Sequence, residues 1–423
     1  MYRQHEFLKK TNDDLLIEGC SSQQLVKKYG SPLYVYSKQQ IIKNYQKLDQ
    51  AFKKNYSNFQ ICYAVKANSN INIIKILKEE GCGADCSSAI EIAYAEAAGL
   101  DSSKCLFTSV NPNADDLASA LKHGYSINLD DVELLDSLLK VGSPEFISFR
   151  VNPGIGAGKF TQIIVGGEGT KFGIHEDRAI EAYKKAKAAG IKRFGIHMMT
   201  GSCILEGDYF SRICEKLLGI AGRIKKELAI EFDYIDIGGG FGIPYEEDES
   251  ELDIEKVAKD LCDNYQQYCA QFDLGSPKLL VEPGRYLVGN AGVLLSTINH
   301  IKKNNKGSPY LGLDAGMGTL MRPALYGAYH DIVPVKQDMS EAKTKYNIVG
   351  PICESTDSFA KDRSLATVQS GELLAILDAG AYGYAMGSCF NGRLLPAEVL
   401  ADQGSDKLIR RAQETKDVLA QQL

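Results

Sequence analysis

No stretch of this 423-residue chain is long and apolar enough to cross a bilayer, and the opening Met1-Tyr2-Arg3-Gln4-His5-Glu6 has no apolar leader core. The expected compartment is therefore cytoplasmic, with no membrane partner. Positive charge is also short: 48 Lys and Arg face 54 Asp and Glu, a net charge of −6. That balance excludes the dense basic footprint a nucleic-acid partner requires. Histidine occurs only six times and never as His-x-x-x-His, so no metal site is expected. The eleven cysteines are odd in number, scattered, and contain no Cys-x-x-Cys pair, which fits reduced thiols rather than a disulfide framework. What remains, 44% hydrophobic and 24% charged residues, is the composition of a folded soluble protein with room for two or three domains.

From about residue 60 to residue 282 one rhythm repeats. A short β-branched or aromatic run stops at polar or glycine residues, and a helical pattern follows. Eight such strands are expected, ending near Val65, Asp85, Thr108, Asn128, Val151, His197, Ile237 and Glu282. Amphipathic stretches lie between them, such as Ile71 to Glu80 and Ala179 to Ala189. Regular alternation implies a parallel sheet, and eight units point to an α/β fold with a (β/α)8 TIM-like barrel over 38–285. A doubly wound open sheet is the alternative. After Glu282 short strand-like runs follow (Gly292–Ile298, Tyr346–Val349, Glu372–Ala379) without long helices. Residues 286–423 therefore read as a mostly β domain, which the strand-like segment Pro32–Tyr36, within residues 1–37, is expected to join.

Barrel sites form where strands end. Lys66 follows the run Ile61–Val65; such a lysine is ordinarily just solvated, but at a barrel mouth its amine can form a Schiff base. Gly238-Gly239-Gly240-Phe241-Gly242 follows Phe232–Ile237. Consecutive glycines let backbone N–H groups approach a phosphate, although the same run also suits a plain tight turn. It is no dinucleotide fingerprint, since Ile243 stands where the third glycine belongs. The loop Gly154–Lys159 is no P-loop either, because Phe160 replaces the Ser or Thr. Gly201-Ser202 offers a hydroxyl and another N–H to an anion, and Glu282-Pro283-Gly284-Arg285 sets a carboxylate and a guanidinium at the last strand end. Asp85, Arg322, Tyr326, Tyr382 and the run Cys353-Glu354-Ser355-Thr356-Asp357 are ordinary singly.

Together these segments resemble the diaminopimelate decarboxylases, within the ornithine and arginine decarboxylases that share an alanine-racemase-like barrel. The likeness runs from about Ser31 to Leu400 through Tyr63–Asn68, Gly83–Glu91, Phe149–Pro153, Lys171–Ile174, Asp236–Gly242, Glu282–Arg285, Met321–Ile332, Gly350–Asp357, Lys361–Arg363 and Asp378–Gly383. It implies pyridoxal 5′-phosphate as cofactor, carried by Lys66 as a Schiff base. Ser202, Gly239, Gly240 and the backbone around Gly284-Arg285 would hold its phosphate, Glu282 its ring nitrogen, and Tyr382 would line it. Asp85 and Glu91 would support the lysine. Arg285, Arg322 and Tyr326 would grip the substrate carboxylate that stays, with Glu354 reading the distal ammonium. Cys353 would donate a proton from the partner subunit, which implies a homodimer with shared active sites.

The substrate implied is meso-2,6-diaminopimelate, converted to L-lysine and CO2. Arg and Tyr placed for its second carboxylate would be left unpaired around ornithine. Decarboxylation of another basic amino acid (ornithine, arginine or D-lysine) and a non-catalytic paralogue are the competing readings; such paralogues usually lose the lysine or cysteine kept here. One stretch departs from the family. Members typically read His-x-His-x-Gly-Ser, the second histidine stacking on the cofactor ring, whereas this chain reads His197-Met198-Met199-Thr200-Gly201-Ser202. Met199 thus stands at the stacking position, where a thioether can still pack on an aromatic face. His197 reads as a core residue. Ala89-Ile90 replaces the glycine pair often seen before Glu91.

Overall fold

The computed structural model describes residues 5–167, 169–336, 343–420 and 422; the first four residues, read above for a leader, lie outside the described part. The chain forms two compact units. One comprises Asn44–Ile243 and Ser250–Tyr286, and the other takes in the chain up to Lys43, Pro244–Glu249 and the chain from Leu287 onward. Residues 38–43 and the short stretch Pro244–Glu249 lie inside the boundary 38–285 drawn along the sequence yet group with the second unit. Spatial contacts decide that grouping, and a linear pattern does not carry them.

The first unit contains eight parallel strands: β1 (Phe59–Ala64), β2 (Gly83–Cys86), β3 (Cys105–Ser109), β4 (Ser126–Leu129), β5 (Phe146–Asn152), β6 (Arg193–His197), β7 (Phe232–Asp236) and β8 (Lys278–Val281). Each pairs with the next, and β8 returns to β1 through Leu279–Phe59, Leu280–Gln60 and Val281–Ile61, so the sheet closes. The (β/α)8 barrel is the fold, and the open sheet is excluded. Each strand ends within a residue of the position read from the apolar runs, because strands covered on both faces read as nearly continuous apolar segments.

The helices follow their caps. Asn70 accepts the N–H of Asn72 and starts Ile71–Glu79, which buries Ile73, Ile74, Ile76 and Leu77 on one stripe. Helix Glu176–Ala188 likewise buries Ala179, Ala182, Tyr183 and Ala186. Inside the barrel Cys62, Leu106, Tyr234 and Leu280 form an apolar layer with Phe146. A filled interior leaves the strand ends to carry chemistry.

In the second unit the strand Leu33–Ser37 pairs antiparallel with Gly292–Lys302 and parallel with Ala397–Asp402. The segment Pro32–Tyr36 thus joins the mostly β part. Its core gathers Leu33, Val35, Val293, Leu295, Ala375 and Val399. The helices Arg322–Tyr326 and Thr415–Leu419 are short.

Candidate active site

Strand β1 runs directly into a single 3-10 turn, Val65–Ala67, that carries Lys66. Its side chain is 44% exposed, and its Nζ lies 2.6 Å from Oδ2 of Asp85 on β2, which is 1% exposed. Burial raises the proton affinity of Asp85, Glu282 raises it further, and Lys66 opposes both. Glu91 stands in the first turn of helix Ala89–Ala98, where its carboxylate accepts the Ser87 N–H at 2.7 Å. Ser88, the N-cap, accepts the Glu91 N–H at 3.3 Å, so capping chemistry sets the orientation of this carboxylate.

Across the barrel interior runs a polar chain. His197, 1% exposed, lies between Asn128 (Nδ1 to Nδ2, 2.8 Å) and Glu282 (Nε2 to Oε2, 3.3 Å). The residue read as core is indeed buried, but it also donates its Nε2–H to a carboxylate of the site. Asp236 Oδ1 accepts the Gly238 N–H at 2.8 Å. Asp236 Oδ2 and Glu282 Oε1 are buried with no hydrogen-bond partner among the described residues. Burial pushes the Glu282 carboxyl up, but His197, Lys66 and Arg150 outweigh it and hold it at about 2. Burial and then the Glu282 charge push Asp236 well above the carboxylate range. Ionising both of two neighbouring buried carboxyls is costly, so the proton affinity is raised at Asp236 and lowered at Glu282. His197, Asp236 and Glu282 offer possible metal-ligand atoms within 4.8 Å of one another, a grouping drawn from three strand ends that sequence spacing does not reveal.

The glycine loop packs against the segment after β6. Ile204 donates its N–H to Gly240 O and accepts from the Gly242 N–H, both at 2.9 Å. A Cβ at Gly239 would lie 2.3 Å from the Glu282 carbonyl oxygen, so only glycine allows that approach. Met199 Sδ accepts the Gly239 N–H at 3.2 Å, and its carbonyl accepts from Arg150 Nη2 at 3.1 Å. Arg150, on β5, also pairs with Asp130 at 3.3 Å. Half-buried Ser202 and Gly201 run beside Ala157 and Gly158. A Cβ at Gly284 would meet the Ala67 Cβ at 2.8 Å, so this glycine lets the chain press on the turn that carries Lys66. Arg285, buried, follows it. Lys66, Asp85, Met199, Ser202, Gly239, Gly240, Glu282, Gly284 and Arg285 thus all lie at or just past the C-terminal ends of barrel strands.

In the second unit Arg322 and Tyr326 share the helix Arg322–Tyr326, the arginine fully buried and the tyrosine half-buried. Cys353 and Glu354 share an exposed loop; the thiol lies 3.5 Å from Asn391 Oδ1, and Glu354 accepts from Thr356 Oγ1 at 3.4 Å. Half-buried Tyr382 takes a left-handed backbone, with φ of 55°. Sequence reading gave no role to Asn128, Asp130, Arg150 or Asp236, although each is a polar residue at or next to a strand end. That position was the available signal.

Pyridoxal phosphate needs an amine, a cradle for its phosphate and an anionic partner for its ring nitrogen. The barrel mouth has a part-exposed lysine, a loop with no room for side chains, and an ionised Glu282 with an unbonded oxygen. The residues fit the group. Residues 38–289 match the pyridoxal binding domain of the pyridoxal-dependent decarboxylases. The chain is 42% identical to the diaminopimelate decarboxylase of Methanothermobacter thermautotrophicus over 96% of this chain and 94% of that one. It is 37% identical to the diaminopimelate decarboxylase of Aquifex aeolicus, over 96% and 94%. The crystal structure of diaminopimelate decarboxylase from M. jannaschii in co-complex with L-lysine matches with a TM-score of 0.90 at 31% identity, over 99% and 98%. By sequence along nearly its whole length, and by fold, the chain belongs to the pyridoxal-dependent decarboxylase family, and within it to the diaminopimelate decarboxylases.

Proposed function

We propose that this chain decarboxylates meso-2,6-diaminopimelate to L-lysine, the last step of lysine synthesis, with pyridoxal phosphate on Lys66 and two protomers completing each other's sites. The observation that carries the reading is Lys66 at the barrel mouth, its amine 2.6 Å from a buried aspartate. When bound, the cofactor supplies an electron sink for the pair left at Cα as CO2 departs. Lys66 holds it covalently, and Asp85, whose proton affinity burial has raised, accepts or returns a proton at Lys66 Nζ. Glu282 would keep a proton at the ring nitrogen, with His197, Lys66 and Arg150 favouring its charged form. Ser202, Gly239, Gly240 and the Gly284-Arg285 backbone hold the phosphate. Met199 and Tyr382 would line the ring.

For the substrate, Arg285, Arg322 and Tyr326 hold the carboxylate that stays, and Glu354 reads the distal ammonium. Cys353 gives its thiol proton to Cα in a neighbouring protomer's site; its exposure in one chain suits that role. No helix among the described residues is long and apolar enough to cross a membrane, and none of the eleven cysteines is paired. Unpaired thiols support a cytoplasmic place.

CO2 release is to be measured with diaminopimelate, ornithine, arginine and D-lysine in the presence of added cofactor. Diaminopimelate should be the best substrate, and no turnover of it overturns the assignment. Lys66→Ala should abolish the visible absorption band of the bound cofactor; a wild-type protein without such a band would falsify cofactor binding itself.

A further inference from the structure

Arg322 is 1% exposed, and a buried guanidinium needs something to set its plane and its edge. Tyr245 and His330 both contribute to this. The guanidinium lies over the Tyr245 ring, 4.4 Å from its centroid, and Tyr245 comes from the stretch Pro244–Glu249 that groups with this unit. In the plane, Arg322 Nη1 lies 2.7 Å from His330 Nε2. His330 in turn has Nδ1 2.8 Å from the Leu377 carbonyl oxygen, and its ring meets the Tyr245 ring edge-on with centroids 5.4 Å apart. The carbonyl oxygen of His330 accepts from Arg363 Nη1 at 3.0 Å, which fixes the backbone of the histidine as well.

These contacts assign the ring. Arginine can only donate and a carbonyl can only accept, so Nε2 is the acceptor and Nδ1 carries the proton. His330 is therefore neutral. The consequence for Arg322 is specific. A carboxylate in the same place would orient the guanidinium but cancel its charge. A neutral acceptor orients it without itself adding a counter-charge, which suits a residue meant to meet a substrate anion.

The geometry points to His330 as a positioning residue that aims Arg322 at the substrate carboxylate. It rests on the reading that Arg322 grips that carboxylate, and it adds the residue that determines how well the grip works. His330 does not touch the reacting atoms; it acts through Arg322.

Two conservative variants of the holoenzyme separate the halves of the contact. Asn at this position retains a donor for the Leu377 carbonyl but is too short to reach Arg322, whereas Gln places a neutral acceptor where Nε2 stood. His330→Asn should raise the KM for diaminopimelate about 10- to 100-fold, the loss expected for a charge-assisted hydrogen bond, with kcat within about threefold. His330→Gln should bring KM back to within about threefold of wild type. The visible band of the bound cofactor should be the same in both. Arg322→Lys is the control for the underlying reading. If Arg322→Lys leaves KM unchanged, the carboxylate grip itself is wrong. If Arg322→Lys raises KM but His330→Asn does not, the positioning role alone is wrong. Should the Asn variant not fold, the Gln variant still decides, since a KM rise as large as that of Arg322→Lys overturns the proposal.

Discussion

Asp236, at the end of β7, and Glu282, just past β8, are both buried, and their proximity and surroundings raise the proton affinity of the first and lower that of the second. The arrangement has opposite signs for the two residues. Asp236, raised by burial and then by Glu282, holds in the folded chain a proton that the unfolded chain releases above about pH 4. Its contribution is therefore lost as pH rises from there toward its folded-state value. Asp236→Asn has no proton to lose and keeps an acceptor for the Gly238 N–H. In urea unfolding of the apoprotein this variant should gain on wild type by up to about 1.4 kcal/mol per pH unit above pH 4; a gap that stays flat with pH refutes the protonated aspartate. Glu282, held at about 2, stabilises fully above its ordinary 4.5 and loses that effect as pH falls toward 2. At this scale Lys66 and Glu282 were legible as polar residues where apolar runs stop. The proton on Asp236 was not, because it depends on a neighbour 46 positions along the chain and on the exclusion of water from both.

Among the elements, the loop Gly350–Asp357 shows how one side chain can stand in for regular structure. Asp357 is buried; its Oδ1 accepts the Met317 N–H and its Oδ2 the Ile352 N–H, both at 2.6 Å. A Cβ at Gly350 would lie 2.4 Å from that carboxylate, so the glycine and the aspartate belong together. Asp357→Ala leaves two backbone donors unmet and should cost about 2–4 kcal/mol of stability, read from urea unfolding. The cofactor band should persist, since the barrel keeps its own contacts. The sequence marked the stretch as a motif, but it could not show that Asp357 supports the loop while Cys353 and Glu354 face outward. Regular elements were far easier to read: the Asn70 and Ser88 caps and the apolar stripes behind them act within one or two helical turns.

For the whole molecule, shared sites make a quantitative prediction. Lys66→Ala and Cys353→Ala homodimers should each be nearly inactive, while mixed and re-equilibrated protein should recover up to about a quarter of wild-type activity, since half the dimers are hybrids with one intact site each. No recovery on mixing counts against a site built from two chains. The amino-acid order alone was enough to establish the eight-strand rhythm, the change to a β-rich second part and the lysine at the end of the first barrel strand. Those features come from periodicity and chain punctuation, which are local. Closing the barrel is what joined Asn128, His197 and Glu282 from β4, β6 and the end of β8 into one polar chain and set Asp236 of β7 beside it, and folding of the second unit is what set His330 and Tyr245 around Arg322. Such clusters join residues far apart in sequence, and their charge states follow from shared burial, so only the tertiary structure could decide them.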